Sequence, residues 1–454
     1  MKAMYKSMRM PLAISTLLVS LAISTAACGD TASADTASDT DIADTNIADT
    51  DTAPDTADTD TADTADTTDT ADTDTRAPLP SIASALRWSP GDDPAELTPV
   101  LVQPALAFGT DHRLLVAWTG KRGDTLGIFA GLWEVDDAHT AVATPRLVNT
   151  DATGLRNEPS ACALAHGGYV IAWSVDLQNG TDNLRVAFRR FDATLAPLDP
   201  ADVLVRTTAP EASPNHWLAR VACGPEGGFA VAGVRPGTAG FEVFVQRFDD
   251  DGSLDGPPFI PIARTVGGQA FPHVGLSTEA LFVAWEDTAK ADADTTIAAT
   301  RKVGETLTHW PNVVAARGSD AVAAFVAVDP ASGHALLGGQ VGGRVQPSLD
   351  LGAAELIPTP LPESAQTATT SAAAAAYAAS RFGVVWFRGS GNAVDVRYAR
   401  LVDGTFSEAT TVATGKFQMA YRPAIAARDG AVALAWVESL GGGAYILKSA
   451  IFGE

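Results

Sequence analysis

Val116-Ala117-Trp118, Ile171-Ala172-Trp173 and Val283-Ala284-Trp285 are three copies of one phrase, an apolar run that ends in Trp. Later copies end in Trp386 and Trp436, and two degenerate copies carry Gly233 and Gly338 near the same place. The copies recur about every 50 residues, which is the length of four short strands with their turns. The sequence therefore predicts an all-β fold, a seven-bladed β-propeller.

The second copy shows how one blade is expected to run. Its predicted parts are an inner strand Pro159–Leu164, a turn His166–Gly168, a central strand Tyr169–Trp173, a third strand Leu184–Phe191 and an outer strand near Val203–Arg206. Central strands are apolar at every position, which is typical of strands covered on both faces. Blades stacked about 10 Å apart provide that cover. We interpret the Trp residues as packing between blades; a ligand-stacking row is the alternative.

Two copies test this scheme. The run Ala372–Ala376 has high helix propensity, but it occupies the place of Pro104–Ala107 and Pro423–Ala427 in their copies. We therefore expect a strand there, close to the crowded axis. The fifth copy, around Ala321–Gln340, is expected to be the least regular.

The two ends of the repeat region predict how the ring closes. After Trp436 the chain has room for only one further strand, Tyr445–Phe452. Near the start, Leu97–Val102 resembles Ala143–Val148, the outer segment of the first copy. An N-terminal strand is therefore expected to complete the last blade and cover its exposed edge.

Cys162 and Cys223 lie on the predicted inner strands of neighbouring copies, eleven and ten residues before Trp173 and Gly233. Because side chains alternate along a strand, the one-residue offset lets one thiol face forward and the other back. A disulfide between blades is one prediction, since it suits an exported protein. Two separate buried thiols are the other.

The N-terminal segment is predicted to direct export. Residues 1–27 combine a basic start, an apolar stretch and small residues before Cys28, as a signal peptide does. The arrangement resembles the lipobox of bacterial lipoproteins, in which this Cys is lipidated, although Thr25 replaces the usual Leu. The resemblance implies lipid attachment at Cys28; simple cleavage that leaves a free thiol is the alternative.

Residues 28–76 are predicted to form a disordered acidic linker before the propeller, residues 77–454. Residues 30–75 contain fifteen Asp and no Lys, Arg or Glu, while the whole chain carries a formal charge of −23. With so little apolar surface to bury, this Asp, Thr and Ala segment cannot offset its ordering entropy. It lacks the turn Gly and closing Glu of an EF-hand, so solvation is favoured over Ca²⁺ binding.

Arg190-Phe191-Asp192 and Arg247-Phe248-Asp249 precede turns in two copies. They resemble the repeats of large secreted bacterial propeller proteins, where an Ala-Trp strand is followed by an Arg-Phe-Asp-x-x-Gly turn. The resemblance implies a structural role only. The sequence has no Gly-x-Ser-x-Gly elbow, phosphate-binding loop or His-Glu-x-x-His motif, and its seven His show no ligand spacing. These features favour a protein without cofactor, metal or enzymatic activity.

The geometry of a propeller predicts where a ligand would bind. Loops that enter the inner strands meet around the axis on one face, rimmed by Lys121–Asp124, Asp176–Asp182 and Glu286–Asp294. The candidate ligand residues on that face are Arg156, Glu158, His216, Trp217, His273, Tyr421 and Arg422, with Phe271 beside them. Such a mixture suits a glycan or a peptide; ordinary solvated loop residues are the alternative.

Taken with the linker, these features predict a lipid-anchored binding or adhesion module of a bacterial cell envelope. The expected location is the outer membrane, facing the surface or the periplasm, and the expected partners are the membrane and a glycan or protein. No Lys and Arg cluster indicates nucleic-acid binding, and a monomer is expected. The enzymatic alternative is a hydrolase or lyase of extracellular polysaccharide that pairs Glu158 with an acid from another blade. A scaffold subunit of an envelope complex is a third possibility.

Overall fold

Strands are the regular elements of the computed structural model, and no helix occurs among the residues that it describes. Those residues are 85–86, 95–97, 103–111, 113–122, 125–135, 141–151, 153–177, 184–206, 215–237, 240–262, 267–288, 295–313, 321–362, 369–378, 380–390, 393–417, 422–428, 430–441 and 444–453. Within them, no helix has the length and apolarity needed to cross a bilayer. The signal segment, Cys28 and the acidic linker lie outside the described residues.

Twenty-nine strands follow one another along the described chain. They are β1 Ala85–Leu86, β2 Ala95–Leu97, β3 Ala105–Phe108, β4 Arg113–Arg122, β5 Thr125–Glu134, β6 Ala141–Leu147, β7 Leu155–Ala163, β8 Tyr169–Asp176, β9 Leu184–Phe191, β10 Val203–Leu204, β11 Trp217–Cys223, β12 Phe229–Pro236, β13 Phe241–Phe248, β14 Gly268–Leu276, β15 Ala280–Thr288, β16 Thr296–Val303, β17 Thr306–Trp310, β18 Ala321–Val328, β19 Ala335–Val341, β20 Arg344–Asp350, β21 Ile357–Pro358, β22 Thr369–Ala378, β23 Arg381–Ser390, β24 Ala393–Val402, β25 Thr405–Phe406, β26 Thr410–Gly415, β27 Ala424–Arg428, β28 Ala431–Gly441 and β29 Ala444–Gly453.

These strands form seven antiparallel sheets, the blades of a β-propeller. Blade 1 contains β2 to β6, blade 2 β7 to β10, blade 3 β11 to β13, blade 4 β14 to β17, blade 5 β18 to β21 and blade 6 β22 to β26. Blade 7 contains β27 to β29 and is completed by β1. The predicted fold class, including an N-terminal strand in the last blade, is confirmed.

Seven hydrophobic clusters, one at each junction between neighbouring blades, hold the ring together. Trp118 packs with Ala433 and Leu447 between blades 1 and 7, and Trp173 packs with Ala117 between blades 1 and 2. Both Trp side chains are 0% exposed. The interpretation of the Trp residues as inter-blade packing is confirmed, because they lie inside these clusters rather than in an open row.

The two degenerate copies fill the Trp position from a neighbouring strand. Gly233 lies opposite Phe244 of β13, and a Cβ on Gly233 would stand 2.9 Å from that ring. In blade 5 the register places Gly339 in the Trp position, because Gly338 lies opposite Phe325 as Ala284 lies opposite His273. A Cβ on Gly339 would stand 2.6 Å from Ile297 of blade 4. A Gly with a large apolar side chain from a neighbouring strand therefore supplies the volume that one Trp supplies elsewhere, as close-packed interiors require.

The residues that close the ring differ from those predicted. β1 pairs with β29 through Ala85 opposite Ala450 and Leu86 opposite Ser449. By contrast, Leu97 lies opposite Gly120 of β4 in blade 1. The physical reason is the length of β4: β3 covers only its first half, and β2 pairs with the uncovered remainder.

Two further expectations about individual blades have clear outcomes. The run Ala372–Ala376 is a strand, as predicted, inside β22. The fifth copy is not the irregular one, because it forms a four-stranded sheet. Among the described residues it is blade 3 that has three strands; Phe259 contributes only an isolated bridge to Val245 at its outer edge.

A disulfide joins blades 2 and 3. Cys162 and Cys223, 61 residues apart, are bonded with their Cα atoms 5.6 Å from each other. They lie at the ends of the two inner strands, β7 and β11. Of the two alternatives from the sequence, the bonded pair is the one found.

Candidate functional site

A left-handed residue interrupts the inner strand in five blades. These residues are Glu158, Leu218, Phe271, Ala323 and Ser371, with φ between 48° and 60°. At each, the register with the central strand shifts, which marks a β-bulge. A residue with a β-carbon rarely adopts this left-handed backbone conformation, and backbone strain of this kind concentrates at functional sites. Because the bulge recurs at an equivalent position in five blades, it is a regular feature of this propeller.

Polar side chains from the preceding blade bind the backbone N–H groups that the bulges release. The Glu286 carboxylate accepts from Ala323 N at 2.7 Å, and the Gln340 amide oxygen accepts from Ser371 N at 3.0 Å. In blade 2, Ser174 Oγ accepts from Ala219 N at 3.2 Å. Each acceptor stands at the end of its central strand, in the place that follows the repeated Trp. The residue at this place therefore connects neighbouring blades near the axis.

Gln103 and Arg422 occupy the same position in blades 1 and 7. Each precedes a Pro, as Glu158 and Phe271 do. Ala105 and Ala424 lie opposite the Ala before the repeated Trp, as the second residue after each bulge does in blades 2 and 4. The seven equivalent positions around the axial mouth are Gln103, Glu158, Leu218, Phe271, Ala323, Ser371 and Arg422.

Arg422 reaches from blade 7 across the axis to blade 4. Its Nη1 donates to Nε2 of His273 at 2.7 Å and to the carbonyl of Ala324 at 2.9 Å. Its Nη2 contacts Oε1 of Glu286 at 3.3 Å. Blades 4, 5 and 7 are thus joined through the guanidinium of Arg422, whose side chain is only 13% exposed.

Arg220 forms the second cationic centre of this cluster. Its Nη2 donates to Oε1 of Gln103 at 3.3 Å and its Nη1 to the carbonyl of Ala219 at 2.7 Å. Glu158 accepts a hydrogen bond from the Ser174 hydroxyl and experiences the charges of both Arg220 and Arg422. We call Glu158, Arg220, His273, Glu286 and Arg422 the axial cluster.

Burial displaces the protonation equilibria of the axial cluster. Desolvation raises the pKa of Glu286 to about 7, against the opposing effect of Arg422. It also raises the pKa of Glu158, which Arg220 and Arg422 partly counteract. Burial, assisted by the two Arg charges, holds the pKa of His273 well below its usual value. At neutral pH the site therefore holds a neutral His beside a carboxyl that is close to half protonated.

The predicted ligand residues divide into those the structure gathers and those it does not. Glu158, His273 and Arg422 lie in the axial cluster. Arg156 instead supports a loop, with its Nη1 3.3 Å from the carbonyl of Gly154 and its Nη2 3.4 Å from Asp151. His216 is buried against Phe244, with ring centroids 5.0 Å apart. Tyr421 lies outside the described residues.

Three residues of the site were missed or only indirectly indicated by the sequence. Arg220 and Gln103 were not selected, and Glu286 was named only as the first residue of a rim loop. A signal for each exists: Gln103 precedes a Pro in the repeat, Arg220 is the second residue after a bulge, and Glu286 follows a repeated Trp. The repeat pattern, combined with the register of the inner strands, would therefore have identified all three residues.

Metal binding is not indicated by the described residues, where no group of three or more His, Cys, Asp and Glu could hold an ion. A depression at the opposite ends of the blades is lined by Gly224–Phe229 and Asp249–Asp250. Of its acidic groups, Asp250 accepts from Gly228 N at 2.7 Å. This depression is therefore explained by turn structure.

Fold and site together define a seven-bladed β-propeller with a buried, titratable axial mouth. The chain matches no protein-family model, and no curated protein matches it in sequence. It is similar in structure to an ulvan lyase from a new family of polysaccharide lyases, with TM-score 0.52 and 12% identity over 80% of this chain and 94% of that one.

Two further solved structures are similar to the same extent. The ulvan lyase bound to a repeat of glucuronate and sulfated rhamnose has TM-score 0.51 and 12% identity, over 80% of this chain and 94% of that one. Another polysaccharide lyase has TM-score 0.51 and 10% identity, over 77% of this chain and 90% of that one. At such identities the similarity establishes a shared propeller fold.

Proposed function

We propose that the axial mouth cleaves an acidic extracellular polysaccharide by β-elimination next to a uronate. One observation carries the proposal: a neutral His273 lies 2.7 Å from Arg422, within a cluster that also holds Arg220 and a protonatable Glu286. Ulvan lyases of similar fold, one of them bound to a glucuronate repeat, make a uronate the natural first candidate. This favours the enzymatic alternative over the binding module expected from the sequence.

Binding of the uronate carboxylate is assigned to the two guanidiniums. In the free protein Arg422 is paired with His273 and Glu286, so the substrate carboxylate would replace these partners. Arg–carboxylate pairs are strong and directional. Neutralising the carboxylate also makes the proton on the adjacent ring carbon more acidic, because the negative charge that develops there is stabilised by the same donors.

His273 is then placed to act as the general base. Release of Arg422 frees Nε2, and the incoming carboxylate offsets the Arg charges that hold the His273 pKa low. Nε2 takes the proton from C5, the C5 electron pair forms a double bond to C4, and the bond from C4 to the glycosidic oxygen breaks. Glu286, whose pKa is about 7, donates its proton to that leaving oxygen.

Hydrolysis by paired carboxyls is the second candidate, supported by a specific observation. Glu158 and Glu286 both experience Arg422 and both have raised pKa values. A hydrolase, however, needs one of its two carboxyls ionised as nucleophile or base. The raised pKa of both groups, together with His273 and two Arg, favours elimination.

A product assay tests the proposal. The full-length protein is incubated with alginate, polygalacturonate, polyglucuronate and ulvan, and with dextran as a neutral control. Elimination produces unsaturated uronate ends, which absorb in the ultraviolet, together with new reducing ends. Hydrolysis produces reducing ends alone. Retardation in a polysaccharide-containing gel without either product would show a binding module and refute the enzymatic proposal.

Matched variants assign the activity to the axial cluster. His273→Ala is expected to lower kcat by at least about 100-fold, the usual contribution of general base catalysis. The control is His166→Ala, at the other end of the blades, where the imidazole is 73% exposed. If both variants keep activity, the base is elsewhere and the proposed mechanism is wrong.

We further propose that the propeller is exported and carried on a lipid-modified Cys28. The support is the basic and apolar N-terminal segment, the small residues before Cys28 and the acidic linker behind it. Two or more acyl chains would hold the protein stably on a bilayer. Mass spectrometry of the mature N-terminus should find lipid on Cys28. A Cys28→Ala variant should leave the membrane fraction, and its retention there would contradict the proposal.

A further inference from the structure

The seven equivalent positions around the axial mouth are divided by polarity. Blades 6, 7, 1 and 2 contribute Ser371, Arg422, Gln103 and Glu158, whereas blades 3, 4 and 5 contribute Leu218, Phe271 and Ala323. The polar members occupy consecutive blades and so do the apolar members. At these positions one side of the ring is therefore polar and the other apolar, although Arg220, His273 and Glu286 of the axial cluster also come from blades 3 and 4. Phe271 is the partly exposed apolar member, because Leu218 and Ala323 are only 7% and 5% exposed.

Phe271 connects the two sides. The Arg422 guanidinium carbon lies 5.7 Å from the centroid of the Phe271 ring, within the range of a cation–π contact. Phe271 is also two residues before His273 on the same inner strand. The ring is only partly buried, and its position at a left-handed residue, φ 49°, is strained.

Trp217 extends the apolar side towards blade 3. It precedes Leu218, the bulge residue of that blade, and it remains partly exposed. Its ring meets Phe241 edge to face, with centroids 4.3 Å apart and planes at 83°. Trp217 and Phe271 pack against the same hydrophobic cluster between blades 3 and 4, so both rings are held by one rigid base.

We propose that Phe271 is a stacking subsite for one sugar ring of an anionic polysaccharide, and that Trp217 extends this platform to the next sugar. This inference rests on the proposed function in so far as the bound polymer carries uronates. The C–H-rich face of a pyranose packs on an aromatic ring, while its carboxylate projects from the edge. A sugar stacked on Phe271 therefore presents its carboxylate beside Arg422.

Binding experiments test the subsite independently of catalysis. Affinity electrophoresis of the full-length protein in gels with polyglucuronate, polygalacturonate or dextran gives dissociation constants without any turnover. Phe271→Ala is expected to bind the uronate polymers about tenfold more weakly, which corresponds to about 1.4 kcal/mol, and Phe271→Tyr to bind like the wild type. The control is Phe259→Ala, because Phe259 packs on the same cluster but lies at the outer edge of blade 3.

A second measurement needs no variant at position 271. Saturating polyglucuronate should protect Trp217 from oxidation by N-bromosuccinimide, as read by mass spectrometry of its peptide. Equal binding by Phe271→Ala and Phe259→Ala, or equal oxidation of Trp217 with and without polymer, would overturn the subsite. If the wild type binds but does not cleave, the lyase fails while the subsite stands. A wild type that binds no uronate polymer refutes both.

Discussion

Arg422 donates to Nε2 of His273 across the axis at 2.7 Å, although 149 residues separate the two in sequence. Among the described strands, none pairs between blades 4 and 7, which are three blades apart around the ring. The contact therefore depends on closure of the whole propeller. It also couples the charge of Arg422 to the imidazole that we assign as the base.

Removing the Arg422 charge should destabilise the propeller in a pH-dependent way. Arg422→Gln leaves Glu286 buried without its cation, and breaking a buried pair costs about 3 kcal/mol. The loss should be largest above about pH 7, where Glu286 is ionised, and smaller near pH 5, where the folded carboxyl is protonated. Chemical denaturation at both pH values measures it.

The control for this variant is Arg247→Gln, which removes an ion pair to Asp255 at 3.0 Å with a 58% exposed Arg side chain. Exposed pairs contribute little, so its unfolding free energy should stay close to that of the wild type. A loss for Arg422→Gln that is equally small at both pH values would show that the axial cation is not paired as described.

Ionisation of Glu286 should lower the free energy of unfolding as the pH rises. Its pKa is about 7 in the folded protein and about 4.3 in an unfolded chain. Between these values the folded state binds more protons than the unfolded state, so the free energy of unfolding decreases with pH. The decrease attributable to this group is up to about 4 kcal/mol, at about 1.4 kcal/mol for each pKa unit.

Glu286→Gln should remove that part of the decrease. The amide oxygen can still accept from Ala323 N, as Gln340 does from Ser371 N one blade further on. Denaturation curves recorded from about pH 4 to about pH 8 should therefore be flatter for the variant. Parallel curves for variant and wild type would contradict the assigned pKa.

The disulfide between blades 2 and 3 should contribute to stability through the unfolded chain. Cys162 and Cys223 close a loop with a sequence separation of 61, for which the chain-entropy model gives about 4 kcal/mol. The double variant Cys162→Ala and Cys223→Ala should unfold at lower denaturant concentration. Reducing agent should lower the unfolding midpoint of the wild type by a similar amount. The double variant serves as its own control, because reductant should not destabilise it further.

Ring closure by β1 should be measurable by truncation. A chain that begins at Ser89 lacks β1 and leaves the outer edge of β29 without the pairs at Ala450 and Ser449. An exposed edge strand invites association between molecules. We expect a lower melting temperature and concentration-dependent aggregation. A chain that begins at Ser81 keeps β1 and should behave like the full protein; identical behaviour of both truncations would refute the role of β1.

The fold was accessible from the sequence because a buried Trp marks five of the seven blades. Trp at the end of the central strand fixes both the period and the side chains that face a neighbouring blade, and it is recognisable without any structure. The run Ala372–Ala376 was correctly placed by its position in the repeat rather than by its helix propensity. Closure was harder, because Leu97 and Leu86 are both apolar residues near the start, and only the uncovered edge of β4 decides between them.

The site was only partly accessible for a different reason. Periodicity identifies which positions are equivalent in all blades, and it selected Glu158, His273 and Arg422. It does not say which blade faces which across the axis, so the contact of Arg422 with Glu286 could not be derived. The bulges are also invisible to it, since Leu218 and Ala323 have no sequence feature that indicates a left-handed backbone.

The pairing of β1 with β29 determines how this propeller would respond to a pulling force on its N-terminal chain. Among the described residues, two pairs join these strands, and the chain that leads to the proposed lipid attachment at Cys28 precedes β1. Tension along that chain would act on the pairing of β1 with β29 before it reached any other strand. A pulling force on a tethered molecule would then act first on the β1–β29 pairing. Separation of that pairing would open the last blade, which supplies Arg422.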